Sequence, residues 1–200
     1  MSTATESPPR AGPRKRILDA AYALFARRGI GAVGIDEIIS RSGVAKATLY
    51  RHFPSKTDLV LAFLAEREQR WTVGVVRDEI SRRAADPEEQ LLAIFDVFDE
   101  WFGRTDFEGC SFINVLLEMH CHGPEHPLTH ASAQYLDNIR TLVRGLGDRA
   151  GLHDPDSFAH SWHILMKGSI VAAAEGDSHA ARRAQAMGRY LIDQHRAATS

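Results

Sequence analysis

Residues 35–53 read IDEIISRSGVAKATLYRHF. Their apolar positions predict two short helices, at about residues 35–40 and 45–52, each burying one side. Gly43 stands between the two segments, and a glycine can adopt the left-handed backbone of a tight turn that a side chain would resist. Leu49 is expected to pack in the angle between the two helices. The pattern therefore predicts a helix-turn-helix.

The second of these helices presents polar groups on the sides that Leu49 does not occupy. These positions carry hydrogen-bond donors, a methyl group and a phenol hydroxyl, in the order Lys46, Ala47, Thr48, Tyr50, Arg51 and His52. Groups of this kind suit the base edges and phosphates that line a DNA major groove. The sequence therefore predicts that the helix at residues 45–52 enters a duplex groove.

Charge is divided unevenly along the chain. Residues 1–64 carry ten Lys and Arg against five Asp and Glu, whereas the remainder carries 14 against 21, for a net charge of -2 over all 200 residues. A basic head on an acidic body indicates that only the head meets a polyanion. A head with ordinary surface charge that binds no DNA is the alternative that this observation alone leaves open.

The rest of the chain shows apolar residues at helical spacing, and no segment alternates as a half-buried strand does. Helix starts are expected where a capping side chain or an N-terminal proline favours the first turn. Such starts occur at Pro13, at Ser55 with Asp58, at Asp86-Pro87 and at Asp154-Pro155. Nine helices and no sheet are predicted, so the expected fold class is all-α.

Several classes of protein are disfavoured by the sequence. No run approaches the roughly 18 apolar residues of a membrane span, and the first ten residues lack the apolar stretch of a signal peptide, so a cytoplasmic protein is expected. The two cysteines, Cys110 and Cys121, fit a reducing compartment. Because no phosphate-binding glycine loop, nucleophile elbow or His-Glu-x-x-His motif occurs, we expect no enzyme, no catalytic residue and no cofactor.

The run at residues 43–56, GVAKATLYRHFPSK, resembles the tetracycline-repressor (TetR) family of bacterial one-component regulators. The segments that precede this run, at residues 20–25, 28–29 and 35–39, also resemble the family. The resemblance spans residues 14–64 and is specific, whereas composition and periodicity alone indicate only a helical protein with a basic head. It implies a DNA-binding transcriptional regulator.

The resemblance implies a role for each matching position. Lys46 and Ala47 lie where the family reads base edges, and Lys56 lies where the fourth helix begins and meets a phosphate. The positions implied to contact phosphates are Thr48, Tyr50, Arg51 and His52, with Tyr50 sometimes touching a base. The family usually has Ser or Thr where this chain has Ala45, so the recognition helix lacks a side-chain cap worth about 1 kcal/mol.

The residue pattern and the family resemblance together predict how the chain is organised into domains. Residues 1–11 are expected to form a disordered arm, residues 12–56 the helix-turn-helix domain, and residues 57–200 a ligand-binding and dimerisation domain. The resemblance implies that the last two helices, at 156–175 and 180–196, pair with a partner subunit. A homodimer would present two half-sites to an inverted-repeat operator. Closing the core of a single chain is the alternative role for these helices.

Aromatic and sulfur-containing side chains gather in the middle helices. They suggest a pocket for a small apolar or aromatic effector, with plain core as the alternative. The candidate lining residues are Phe95, Phe98, Trp101, Phe102, Phe112, Leu116, Met119, His120, Trp162 and Met166. The pattern Gly-Cys…Asn…Glu…His-Pro within residues 107–128 is shared by many family members and names no ligand. The family also implies that the ligand relieves repression.

A histidine-rich segment raises the alternative of a metal. His120, Cys121, His122, His126 and His130 fall within eleven positions, and imidazole and thiolate are zinc ligands. On a helix, however, His120 and His122 project about 200° apart and do not chelate together, so no metal site is predicted. Two alternatives remain: regulation by a protein partner or a metal, and a helical enzyme or carrier with an incidental basic head.

Overall fold

The computed structural model describes residues 11–196, apart from the side chain of residue 75. Residues 1–10, the greater part of the predicted arm, lie outside this range. Every regular element within it is helical, and a bridge between Leu152 and Arg196 is its one β-type pairing. No helix in the same range combines the length and the apolar character that crossing a bilayer requires.

The helices follow one another closely along the chain. The first are α1 (Pro13–Arg28), α2 (Ile35–Ser42), α3 (Lys46–His52) and α4 (Lys56–Arg67). A π-helical stretch, Glu68–Arg77, and then α5 (Asp78–Arg83) follow α4 without a break. The others are α6 (Pro87–Phe102), α7 (Ser111–Glu118), a 3-10 turn (His120–His122), α8 (Pro127–Arg149), α9 (Pro155–Ala174) and α10 (Ala180–His195). With residues 56–83 counted as one, residues 11–196 hold nine helices, and the predicted all-α fold is confirmed.

Three helices begin at the capping residues that the sequence predicts. The Asp86 carboxylate accepts hydrogen bonds from the N–H groups of the second and third residues of α6, at 2.9 and 3.0 Å. The Ser55 hydroxyl accepts from the Asp58 N–H at 3.1 Å, while the Asp58 carboxylate accepts from the Ser55 N–H at 2.9 Å. The Asp154 carboxylate accepts from the Ser157 N–H at 3.2 Å. Local polar chemistry therefore fixes where these helices start.

The chain divides into two compact units, and the boundary between Phe63 and Leu64 falls inside α4. In the first unit, the rings of Tyr22 and Phe25 meet the Phe63 ring edge-on, with centroids 5.3 and 5.6 Å apart. The other buried side chains of this core include Ile17, Ala21, Leu24, Ile38 and Leu49. One small apolar core thus holds α3 by its buried side. The domain division at residue 56 stays a prediction.

The second unit has Trp162 of α9 at the centre of its core. This side chain is fully buried, and its ring lies 5.3 Å, between centroids, from the rings of both Phe95 and Phe158. Gly188 of α10 comes so close that a Cβ there would lie 2.8 Å from the Trp162 ring. Because position 188 has no side chain, the backbone of α10 can pack directly against the indole.

Candidate nucleic-acid interface

The turn between α2 and α3 is made by Gly43. Its backbone lies in the left-handed region (φ 63°, ψ 33°), and its N–H donates to the Ile39 carbonyl at 3.0 Å. A residue with a side chain would be strained in this conformation. Val44 is buried just after the turn, and Ile38 and Leu49 are fully buried. The turn and these three apolar side chains therefore set the angle between the two helices, and Leu49 lies where the sequence predicts.

Ala45 is the N-cap residue of α3. Its backbone is extended (φ -71°, ψ 149°), as that of a capping residue should be, and its carbonyl accepts from the N–H groups of Thr48 and Leu49 at 2.9 and 3.1 Å. No side chain caps the helix. The first N–H groups of α3 therefore lack the acceptor that Ser or Thr would supply, which is the expected effect of alanine at this position.

The residues predicted to contact DNA lie together within residues 46–56 of the first unit. The exposed ones are Lys46, Ala47, Tyr50 and Arg51, and the half-buried ones are Thr48, His52 and Lys56. Tyr50 leaves 40% of its surface exposed although it is a large aromatic residue. With Leu49 pointing inward, α3 thus offers an ammonium, a guanidinium and a phenol hydroxyl on its accessible sides.

The Lys46 ammonium on this surface remains available to a partner. The Lys46 ammonium lies 3.6 Å from the Asp36 carboxylate, and both side chains are mostly exposed. A pair at that distance in water contributes little, so a phosphate or a base edge can displace the carboxylate. The Nε2 atom of His52 is buried without a hydrogen-bond partner in the described part of the chain.

The N-terminus of α1 adds two basic residues that the site prediction did not include. The Arg14 guanidinium lies over the ring of Phe53, 5.2 Å from its centroid, and so reaches the end of α3. Arg16 lies near the turn, because a Cβ on Gly43 would lie 3.9 Å from its Nη1 atom. The basic run at residues 14–16 was visible in the sequence, but nothing in it indicated which part of the head it contacts.

The side chains predicted to line a ligand pocket are spread through the core of the second unit. Those that are buried are Phe95, Phe98, Trp101, Phe112, Trp162 and Met166, those half-buried are Phe102, Leu116 and Met119, and His120 is exposed. Several rings pack on one another, with Phe98 5.7 Å from Trp101 and 5.5 Å from Phe102. Of the ten, Phe98 and Met166 line an internal cavity described next.

The internal cavity of the second unit has a volume of about 20 Å³. Its apolar walls include Trp71, Val76, Phe98, Leu136, Ile139 and Met166, and its polar lining residues are Cys110, His163 and Lys167. Burial lowers the pKa of His163 to about 3, and burial also lowers the pKa of Lys167, with the charge of Arg140 adding to both effects. Sequence analysis missed the pair His163 and Lys167, whose spacing of four places both on one side of α9.

An exposed apolar face runs along α9 and α10. Ile164, Val171, Met187 and Tyr190 have between 50 and 73% of their surface exposed. A groove of about 340 Å³ on this face is lined by Ser161, Leu165, Met187, Tyr190, Leu191 and Gln194. Exposed apolar surface concentrated in this way is typical of a protein–protein contact.

The histidine-rich segment has local structural roles. The His126 ring caps α8, where Nδ1 accepts from the Leu128 N–H at 3.3 Å. Cys121 is exposed, with its sulfur 3.3 Å from Nδ1 of His122, whereas Cys110 is buried. Across residues 11–196, no three His, Cys, Asp or Glu side chains are arranged to hold a metal ion.

Comparison with known proteins finds similarity to one family of bacterial regulators. Residues 17–63 match the model for bacterial regulatory proteins of the tetR family. The chain is 39% identical over 105 residues to the HTH-type transcriptional activator FasR of Mycolicibacterium smegmatis, which covers 52% of this chain and 47% of FasR. It is 47% identical over 57 residues to the HTH-type transcriptional repressor KstR of Rhodococcus jostii, which covers 28% of this chain and 27% of KstR. The matches thus span about half of FasR and about a quarter of KstR.

The likeness extends over nearly the whole fold in a solved structure. A TetR-family transcriptional regulator from Streptomyces coelicolor superposes with a TM-score of 0.83 at 26% identity, covering 92% of this chain and 95% of that chain. The family resemblance carried by the α2–α3 segment is confirmed by the match over residues 17–63 and by this superposition. Residues 17–63 are therefore similar to the tetR family of bacterial regulatory proteins, and the fold of the chain is that of a solved TetR-family regulator.

Proposed function

We propose that the protein is a cytoplasmic DNA-binding transcriptional regulator that represses its target genes and responds to a small-molecule effector. The proposal rests on one observation: Lys46, Tyr50 and Arg51 are exposed on α3. The opposite side of this helix is fixed to the core by the buried side chain of Leu49. Each of these three groups can donate a hydrogen bond to a base edge or a phosphate. The names of FasR, a transcriptional activator, and KstR, a transcriptional repressor, support transcriptional regulation.

The roles proposed for single residues follow from their chemistry. Lys46 and Ala47 read base edges, by a hydrogen bond and by contact with a thymine methyl group. Phosphates are contacted by Thr48, Tyr50, Arg51, His52 and Lys56. The phosphate contacts supply affinity and register, while the base contacts supply sequence preference.

A homodimer formed through α9 and α10 completes the proposed assembly. The exposed side chains of Met187 and Tyr190, together with Ile164 and Val171, give this face the apolar character of an interface core. A twofold dimer is the commonest way for a chain to cover such a face with its own copy. Two heads related by a twofold axis recognise an inverted repeat, with half-sites separated by whole helical turns.

The proposed effector acts by binding the DNA-competent and DNA-incompetent states with different affinities. It occupies the second unit, and α4 is the covalent connection between that unit and the head. The coupling is reciprocal, so an effector that weakens DNA binding is itself bound more weakly by the DNA complex.

Selection of preferred sites from a pool of random duplex DNA, using the full chain, tests the proposal. We expect an inverted repeat to be enriched. Lys46→Ala should change the preferred bases within each half-site, whereas Lys56→Ala should weaken binding to all sequences and reduce the dependence of log affinity on log salt by about one unit. Lys15→Ala is the control, because Lys15 is exposed on α1 and pairs with Asp19.

Two outcomes would overturn the proposal at different levels. A chain that enriches no sequence is not a sequence-specific regulator. If the chain enriches a site but Lys46→Ala leaves that site unchanged, α3 is not the reading element and the assignment of Lys46 is wrong. Wherever the unaltered chain enriches a site, Lys15→Ala should preserve it.

A further inference from the structure

The cavity of the second unit joins apolar walls to polar groups that lack partners. Trp71, Phe98 and Met166 provide aromatic and sulfur surface, and His163 is 3% exposed. Neither ring nitrogen of His163 makes a hydrogen bond within the described residues. Because the residue is almost wholly buried and no protein group bonds to the ring, its N–H and its lone pair are left to water or to a ligand. The ring is therefore poised to bond to a group that enters the cavity.

Lys167 lies one helical turn beyond His163 and lines the same cavity. It is half-buried, and no carboxylate in residues 11–196 forms an ion pair with it. The nearby guanidinium of Arg140 already donates a hydrogen bond to the Asp137 carboxylate. Lys167 is thus the cation at this cavity whose charge is not compensated, and its burial strengthens its attraction for an anion.

We propose that this cavity binds a carboxylate-bearing molecule with an aromatic or aliphatic body. The Lys167 ammonium pairs with the carboxylate, the neutral His163 ring donates a hydrogen bond to it, and Trp71, Phe98 and Met166 contact the apolar body. The inference rests on the proposed function and deepens it, since it gives the chemical class of the effector. An uncharged effector would leave Lys167 without a counter-ion, and a cationic effector would be repelled by it.

The cavity must enlarge to accept such a molecule, because about 20 Å³ is room for roughly one water. Two parts of the cavity wall can move to make room. Met166 has an unbranched side chain that repacks easily. Trp71 and Val76 belong to the π-helical stretch, and π-helical turns are rare and often found at functional sites. Binding should therefore alter backbone hydrogen exchange in residues 68–77.

Titration calorimetry of the full chain with matched ligands tests this inference. The probes are 2-naphthoate, phenylacetate and octanoate, each compared with its methyl ester and with the corresponding primary amine. At least one acid should bind ten times more tightly than its ester, and the amines should not bind. Lys167→Met should weaken acid binding at least tenfold, and Lys167→Arg should retain most of it. Arg144→Met is the control, because Arg144 is an exposed cation of α8 outside the cavity.

Each remaining outcome decides against the inference. Esters or amines that bind as well as the acids, no binding by any of the acids, or equal effects of Lys167→Met and Arg144→Met would overturn it. If Lys167→Met does not fold, the His163 ring signals in the NMR spectrum of the unaltered protein decide, since they shift on adding acid only if the acid enters this cavity. DNA binding is measured on the same samples without ligand. If it persists while acids fail to bind, the regulator proposal stands and this inference falls.

Discussion

At the scale of single residues, Ala45 and His163 are places where the chain forgoes stability. Ala45 has the backbone of an N-cap but no acceptor to offer the first turn of α3. His163 is a titratable ring placed in a core without a hydrogen-bond partner among residues 11–196. Because both departures concern one side chain in a defined setting, a single substitution tests the physical account of each.

Ala45→Ser should stabilise the protein by about 1 kcal/mol, because a serine hydroxyl can accept a hydrogen bond from an N–H group in the first turn of α3. Urea unfolding of both chains measures the gain. Ala47→Ser is the matched control, since residue 47 is exposed within α3 and has no capping position to fill. An equal effect of the two substitutions would show that α3 does not begin at residue 46.

The stability of the protein should depend on the protonation of His163. In the folded state the pKa of this ring is about 3, chiefly because of burial, with the charges of Lys167, Arg140 and His160 adding to the effect. In the unfolded chain it is about 6.5, so the unfolded state takes up the proton first as the pH falls. The contribution of the neutral ring is thus complete above pH about 6.5 and is lost between there and pH about 3, by at most about 1.4 kcal/mol per pH unit.

His163→Gln should therefore flatten the fall in stability between pH 6 and pH 4. Urea unfolding at a series of pH values gives the comparison. His153→Gln provides the control, because His153 is exposed. A pH profile for His163→Gln that runs parallel to that of the unaltered chain would mean that the folded state accommodates the protonated ring.

At the scale of helices, the sequence predicts what is local and misses what depends on distant neighbours. Asp86 and Ser55 reveal helix starts because their side chains bond within the next three residues. The turn at Gly43 is equally local. The cavity is different, because its walls come from the π-helical stretch and from α6, α7, α8 and α9. The aromatic residues proposed to line a pocket are of the same types as those of a packed core. Composition alone therefore does not distinguish a pocket wall from a core.

Gly188→Ala should destabilise the second unit by about 1–3 kcal/mol, because the new methyl group would overlap the Trp162 ring in a packed core. The sign of this change in stability is informative, because alanine in a helix interior is otherwise favoured over glycine by about 1 kcal/mol. Gly145→Ala in α8 is the control and should stabilise, because its Cβ would meet only the end of the flexible Arg149 side chain, at 3.9 Å. Thermal unfolding of both variants tests the contrast.

At the scale of the whole molecule, the proposed regulator needs two copies, and the face on α9 and α10 is where we place the contact. Tyr190 and Met187 are the side chains of α10 that leave the most apolar surface exposed. The face is continuous across two helices that already pack on each other within one chain. A charge placed in its centre would have to be buried without a partner in the dimer.

Tyr190→Glu should therefore convert the dimer into a monomer and weaken binding to an inverted repeat far more than binding to a half-site. Analytical ultracentrifugation and a DNA titration on the same samples give the two readouts. Leu117→Glu is the matched control, because Leu117 is a similarly exposed apolar residue on α7. Dimers that persist in Tyr190→Glu would move the interface away from this face.

The contrast between the two thiols offers a direct way to test the proposed dimer. The chain has two cysteines, and only Cys121 is exposed while Cys110 is buried. A maleimide spin label will therefore attach at one known position per chain, with no cysteine engineered in or out. Pulsed electron paramagnetic resonance on the labelled protein then measures the distance between the labels at residue 121 of the two subunits, with and without DNA. The natural cysteine thus provides a distance probe between subunits.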